Sequence, residues 1–179
     1  CVDIDAGKYG SINGTAFASS GATNQVPCAA GLYSADGDGD CVQCSKGKFN
    51  GSTGAAACKV CAPGTFTDGE GKSVCTDVGN GKFGSIDGET YAAQGATQEV
   101  KCFGGTYSAD GTGPCIDIDA GKYGSADIST SGGTAFASSG AFKQLLCKKG
   151  FFSAAGDGDC VQCAEGTFNG STGAASCTP

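Results

Sequence analysis

The chain has 179 residues, with 33 Gly and 13 Cys, no His, Met or Trp, and a formal charge of −7. Glycine reduces the apolar area available for burial and raises the entropy lost on folding, so an ordinary oily core is excluded and covalent staples are expected instead. The acidic balance argues against a nucleic-acid or anionic-membrane partner, no apolar run approaches the length of a membrane span, and no histidine exists to act as a base near neutral pH.

The sequence begins at Cys1 without an initiating Met or signal peptide, and it reads as a mature product or as a piece of a longer polypeptide. In chain order, a long unit opens at Cys1, with Tyr9 eight residues on and a second aromatic at Phe17. Three short loops follow from Cys28, Cys44 and Cys61, each with G-x-aromatic ("GLY", "GKF", "GTF") placing Tyr33, Phe49 and Phe66 five residues past the cysteine. They close at Cys41, Cys58 and Cys75. A second long unit opens at Cys75 with Phe83 and Tyr91, then a short loop runs from Cys102 through "GTY" and Tyr107 to Cys115. A third long unit opens at Cys115 with Tyr123 and Phe136, and short loops Cys147–Cys160 ("GFF", Phe152) and Cys163–Cys177 ("GTF", Phe168) complete the chain. The long units read as two short loops whose middle cysteines have been lost.

Larger copies lie over this rhythm. "CVDIDAGKYGS" (1–11) recurs as "CIDIDAGKYGS" (115–125), "GTAFASSGA" (14–22) recurs at 133–141, and "FNGSTGAAAC" (49–58) recurs as "FNGSTGAASC" (168–177). The chain divides into cysteine-rich block 1 at 1–74, a shorter divergent block 2 at 75–114, and block 3 at 115–179, a copy of block 1. Block 3 inserts about five residues near "SADIST", which predicts a surface loop. Helical periodicity is absent and Gly interrupts every run. The expected fold is small and disulfide-rich, mostly loops and short β-hairpins. It is an elongated ladder of tandem cysteine-rich repeats with no large core, in which each loop touches mainly its neighbours.

"CVQC" (41–44 and 160–163) and "CKVC" (58–61) admit three chemistries. Cys41, Cys44, Cys58 and Cys61 have the spacing of a four-thiolate zinc site. Zinc would leave unused the same loops built around single cysteines, such as Cys28, Cys102 and Cys147. A redox CxxC needs a helix terminus or cationic neighbour to lower a thiol pKa, and no βαβ unit is legible. Structural disulfides use almost every cysteine. The preferred pairing is local: Cys28–Cys41, Cys44–Cys58, Cys61–Cys75, Cys102–Cys115, Cys147–Cys160 and Cys163–Cys177, with an interlaced scheme (Cys41–Cys58 with Cys44–Cys61) left open. Cys1 remains, unpaired in this chain or linked to a neighbour. Joining Pro179 to another Cys1 would create "CTPC", one more CxxC junction, so a tandem array or a head-to-tail polymer of the chain with itself is expected.

Three N-x-[ST] sequons, at Asn13, Asn50 and Asn169, are candidate N-glycosylation sites in Gly-rich turns. Asn50 and Asn169 occupy equivalent repeat positions, whereas block 2 has "DGET" where block 1 has "NGTA". Dense Ser and Thr in "GSTG" and "SSG" leave O-glycans open. "DGDGDC" (36–41) begins like a calcium loop with Asp36, Asp38 and Asp40, but Cys41 and Gly47 stand where that loop needs Gly and Glu. A weak calcium site also using Asp3 and Asp5 stays open beside the plainer reading of solvated acidic turns. No other cofactor and no metal are expected, and no nucleophile has a partner at a telling spacing, so the chain is not expected to be an enzyme.

The run "CVQCSKGKFNGSTGAAACKVCAPGTFTDGEGKSVC" (41–75) resembles the ephrin-receptor-like cysteine-rich repeat, which is related in style to tumour-necrosis-factor-receptor modules and abundant in large surface and secreted proteins of protists and algae. Residues 160–177 fit it as well, 102–115 and 147–160 partly, and the long units poorly, because the middle CxxC is missing. The resemblance implies an extracellular, disulfide-bonded, rod-like repeat that entered through the secretory pathway, and it implies no ligand. The expected function is a structural subunit of a glycosylated extracellular fibril, surface appendage or coat. The alternative is a ligand-binding or adhesive ectodomain segment of a cell-surface receptor.

Overall fold

A computed structural model describes residues 3–36, 39–127 and 136–179. Cys1, Asp38 and most of the block 3 insertion lie outside the described residues. Among those residues there is no helix, and sixteen short strands form eight two-stranded antiparallel or paired ribbons. In chain order these are β1 (Lys8–Ser11) with β2 (Asn24–Pro27), β3 (Leu32–Tyr33) with β4 (Val42–Gln43), β5 (Lys48–Phe49) with β6 (Lys59–Val60), and β7 (Thr65–Phe66) with β8 (Thr76–Asp77). They continue with β9 (Lys82–Ser85) and β10 (Gln98–Lys101), β11 (Thr106–Tyr107) and β12 (Ile116–Asp117), β13 (Lys122–Ser125) and β14 (Lys143–Leu146), and β15 (Phe151–Phe152) and β16 (Val161–Gln162). The three four-residue ribbons belong to the long units. The fold is a disulfide-rich repeat of small hairpins.

The register explains the CxxC spacing. In β3–β4, Leu32 pairs with Gln43 and Tyr33 with Val42. The two residues between the cysteines of "CVQC" are therefore the return strand for the G-x-aromatic before them. The same holds for Lys59–Val60 against Lys48–Phe49 and for Val161–Gln162 against Phe151–Phe152. The first cysteine closes one loop and the second opens the next. Six disulfides result: Cys28–Cys41, Cys44–Cys58, Cys61–Cys75, Cys102–Cys115, Cys147–Cys160 and Cys163–Cys177. Their sequence separations are 13 or 14 and their Cα–Cα distances 5.6 to 5.9 Å, so each is local and none is interlaced. Closing a loop of this size contributes about 3 kcal/mol in the chain-entropy model.

The chain falls into two compact units, one comprising Cys1–Asp77 with Ala92–Gln98 and the other Val78–Tyr91 with Glu99–Pro179. In the first, the apolar interior is made of the loop-opening sulfurs of Cys28, Cys44 and Cys61, each 0 % exposed, with Ala96. In the second, Cys102 and Cys147 are joined by Val78, Phe83, Ile118 and Ala141. Ile118 stands three residues past Cys115, where a short loop has the second cysteine of its CxxC, and Tyr123 follows it at the usual offset of five. Its N–H donates to the carbonyl of Gly105 (2.9 Å), as that of Cys147 does to Gly121 (2.9 Å). The long units therefore follow C-x-x-[IV]: an aliphatic side chain takes the place of the opening sulfur, with Ile4 and Val78 at the same position.

Candidate functional site

The repeated surface through which loops dock is the most regular feature of the chain. Each begins with the glycine of G-x-aromatic, which has positive φ: Gly7 (82°), Gly31 (86°), Gly47 (73°), Gly121 (78°). That conformation is strained for any residue with a β-carbon. Space excludes one too. A β-carbon on Gly7, Gly31 or Gly47 would lie 2.1 to 2.2 Å from the carbonyl oxygen of Gly54, Gly71 or Gly95, and one on Gly81, Gly105 or Gly121 would lie 2.0 to 2.1 Å from that of Gly140, Gly156 or Gly173. These partners belong to the next loop but one. The expectation that loops touch mainly their immediate neighbours is too simple, because bare glycine backbones let every second loop meet as well.

Hydrogen bonds link adjacent loops at the same place. The Gly7 N–H donates to Ser34 O (2.7 Å), Gly31 to Asn50 O (2.7 Å) and Gly47 to Thr67 O (3.2 Å). In the second unit, Gly81 donates to Ser108 O (2.7 Å), Gly121 to Ser153 O (2.8 Å) and Gly150 to Asn169 O (3.0 Å). Every acceptor is the small polar residue that follows the loop's aromatic. Ser34, Asn50, Thr67, Ser108 and Ser153 are buried. Cysteine and aromatic spacing do not reveal this position, although its restriction to Ser, Thr and Asn is visible in the sequence.

Open space lies above both Gly150 and Gly166. Phe168 is 62 % exposed, while its counterparts Phe66 and Phe152 are half-buried beneath parallel bridges to Ala96 and Ala174.

The sequons differ sharply in their surroundings. Asn50 is 4 % exposed, and its Nδ2 donates to Leu32 O (2.7 Å) and Ser52 O (2.8 Å) while Oδ1 accepts from Ser52 N (3.0 Å). Asn169 is half-buried and repeats the bond to the preceding loop and the turn, with Nδ2 donating to Phe151 O (2.9 Å) and Oδ1 accepting from Ser171 N (2.9 Å). Asn13 is exposed, and only its Oδ1 is engaged, accepting from the Thr15 amide (3.1 Å) and hydroxyl (2.9 Å). Asp87 takes the same place in block 2. The Thr90 hydroxyl, then the Thr90 and Glu89 amides and the Ser85 hydroxyl, hold its carboxyl far below the usual carboxylate range.

Other acidic side chains serve turns. Asp40 Oδ1 accepts from Cys41 N and Asp159 Oδ1 from Cys160 N, both at 2.7 Å, and Asp5 binds Lys8 (2.7 Å). Among the described residues, no group of three His, Cys, Asp or Glu side chains could hold a metal ion, and no helix is long and apolar enough to cross a membrane. The hollow beside Cys160, of about 230 Å³, is lined by Tyr123, Lys148, Phe151 and Asp159. Tyr9, Leu32 and Asp40 line a counterpart beside Cys41.

No curated protein matches the chain. A family model described as "Tyrosine-protein kinase ephrin type A/B receptor-like" matches residues 31–76, the span holding β3 to β8 and the Cys44–Cys58 and Cys61–Cys75 disulfides. That family is a receptor-like cysteine-rich repeat and not an enzyme class. The six bonded cysteine pairs and the family fit an extracellular or surface location. Residues 31–76, with the disulfides they hold, fit an ephrin-receptor-like cysteine-rich repeat.

Proposed function

We propose that this chain is a structural subunit of a glycosylated extracellular fibril, surface appendage or coat, assembled through contacts between copies of itself. The observation that carries the reading is the repeated seating of one loop on another, made by six glycine pairs and by hydrogen bonds from the G-x-aromatic glycines to the next loop. Loops that seat on one another through the same repeated backbone approach form a surface complementary to further copies of themselves. The ring of Phe168, at the repeat position where Phe66 and Phe152 are half-buried, is exposed and is the apolar group a test can remove. Substituting Phe168→Ser tests it. Light scattering and electron microscopy of the oxidised protein are expected to show assemblies for the parent chain and monomers for the variant, with the unfolding transition little changed. A parent chain that stays monomeric at high concentration would refute self-assembly.

The second reading, an adhesive or ligand-binding ectodomain segment, is favoured by the receptor-like family matched at 31–76. It predicts a monomer and a membrane anchor encoded in the same gene.

A further inference from the structure

We propose that Asn13 is the residue that carries an N-linked glycan, and that Asn50 and Asn169 are structural asparagines left bare. The inference rests on the secretory reading above, since the sugar is transferred only in that pathway.

The bond to the sugar replaces one hydrogen of Nδ2 and needs an open path away from it. Asn13 meets both requirements. Its Nδ2 has no hydrogen-bond partner among the described residues, and the neighbouring Gly14 has open space around it. The hydroxyl of Thr15, the third residue of the sequon, already sits 2.9 Å from Asn13 Oδ1. Block 2 shows that the turn has no need of the amide. Asp87 has no Nδ2, yet it accepts from the Ser85 hydroxyl (2.9 Å) and the Thr90 amide (2.8 Å), as Asn13 accepts from Ser11 and Ala16. The turn requires an oxygen here, so the nitrogen that Asn13 adds is free for modification.

Asn50 reverses each point. Both Nδ2 hydrogens are committed to carbonyls, one in the preceding loop, and the side chain lies in the buried layer where every other short loop except Cys163–Cys177 uses Ser or Thr. At the same position Ser153 donates its hydroxyl to Lys122 O (2.7 Å), so the layer requires a donor. A sugar on Asn50 would remove a hydrogen from that bond and meet Leu32. A chain glycosylated there before folding would be impaired in reaching the disulfide-bonded state.

The test is to secrete the whole chain from a eukaryotic host behind a foreign signal peptide. Occupancy is mapped by enzymatic deglycosylation in heavy-oxygen water, and Asn→Asp is made at each of positions 13 and 50. Asn13 is expected to carry the label in most secreted molecules, with Asn50 and Asn169 unlabelled. Asn13→Asp should remove the glycan and leave yield and disulfides intact. Asn50→Asp should remove no glycan and lower the secreted yield severalfold. Bare Asn13, or occupied Asn50 or Asn169, in the secreted and oxidised protein would overturn the assignment. Reduced cysteines in native material would instead refute the extracellular reading, and site choice in the host would still be measured.

Discussion

Ile118 and Ala141 converge on Gly124: a β-carbon built on that glycine would lie 2.6 Å from Ile118 Cδ1 and 2.9 Å from Ala141 Cβ. Gly10 has the same relationship to Ile4 (2.6 Å) and Ala22 (2.8 Å). Where a short loop is closed by sulfur, the long unit is closed by an aliphatic and a methyl packed over a glycine. Gly124 has no positive φ, so Gly124→Ala would be opposed by crowding alone. Overpacking of a well-filled interior typically costs about 1–3 kcal/mol. Chemical denaturation with disulfides intact is expected to show a loss of that size. Adding Ile118→Val should recover part of it, and a strictly additive double variant would mean that the two side chains do not share the site.

The glycines that meet another backbone give a second prediction. Gly121 and Gly150 occupy the same repeat position with φ of 78° and 82°. A β-carbon on Gly121 meets Gly173 O at 2.1 Å, whereas Gly150 has open space. Alanine at either pays a left-handed backbone cost of about 1–2 kcal/mol. Only Gly121→Ala also breaks the seating of one loop on another. Its unfolding midpoint is expected well below that of Gly150→Ala, and equal midpoints would show that the close approach contributes nothing.

Part of this architecture is legible in the sequence because it is local. Cysteine and G-x-aromatic at fixed offsets specify a tight glycine turn between two strand residues and their return strand, so hairpins without helices follow directly. Ile118 is less legible. Aligning on cysteines alone makes the long unit look like a loop with lost staples, although Ile118 stands at the same distance from Tyr123 as Cys44 does from Phe49. The approach of Gly121 to Gly173 depends on how successive loops stack, and no residue spacing encodes that. The burial of Asn50 is hidden for the same reason: the sequon is read from three residues, while the carbonyl that holds it belongs to Leu32, eighteen positions earlier.

The disulfides yield a third prediction. Replacing Cys147 and Cys160 together by Ala removes one local bridge that contributes about 3 kcal/mol in the chain-entropy model. Reducing all six removes several times that, with no oily interior to compensate. Addition of reductant is expected to abolish slow hydrogen exchange at the hairpin amides and expose all thiols to alkylation. Protection that survives full reduction would mean that burial, not sulfur, holds the fold.

The last prediction concerns a relocated charge. Lys8 and Lys122 are bound by Asp5 and Asp119 three residues earlier, both at 2.7 Å, and Gln25 and Gln144 accept from the amides of those aspartates (3.3 and 2.7 Å). In block 2 the aspartate is replaced by Gly79 and the glutamine by Glu99, which accepts from the Gly79 amide (3.1 Å) and also binds Lys82. The carboxylate has moved to the facing strand while the pair is kept. Partial burial alone pushes the Glu99 carboxyl up, but the bonds from Lys82 and Gly79 outweigh it and hold the group below its ordinary 4.5. A carboxyl lowered in the folded state contributes stability that is complete above the ordinary value and fades as pH falls through the folded one. Glu99→Gln keeps the Gly79 bond and removes only the charge. The parent is therefore expected to melt above this variant at pH 7, with the gap closing below pH 4.5. Gly79→Asp in the same chain should recover part of the loss at pH 7, because a β-carbon there makes only ordinary contacts, the nearest at 3.7 Å, and the aspartate would face Lys82 as Asp5 faces Lys8. A pH-independent gap, or no recovery in the double variant, would show that Glu99 acts through packing and not through its charge.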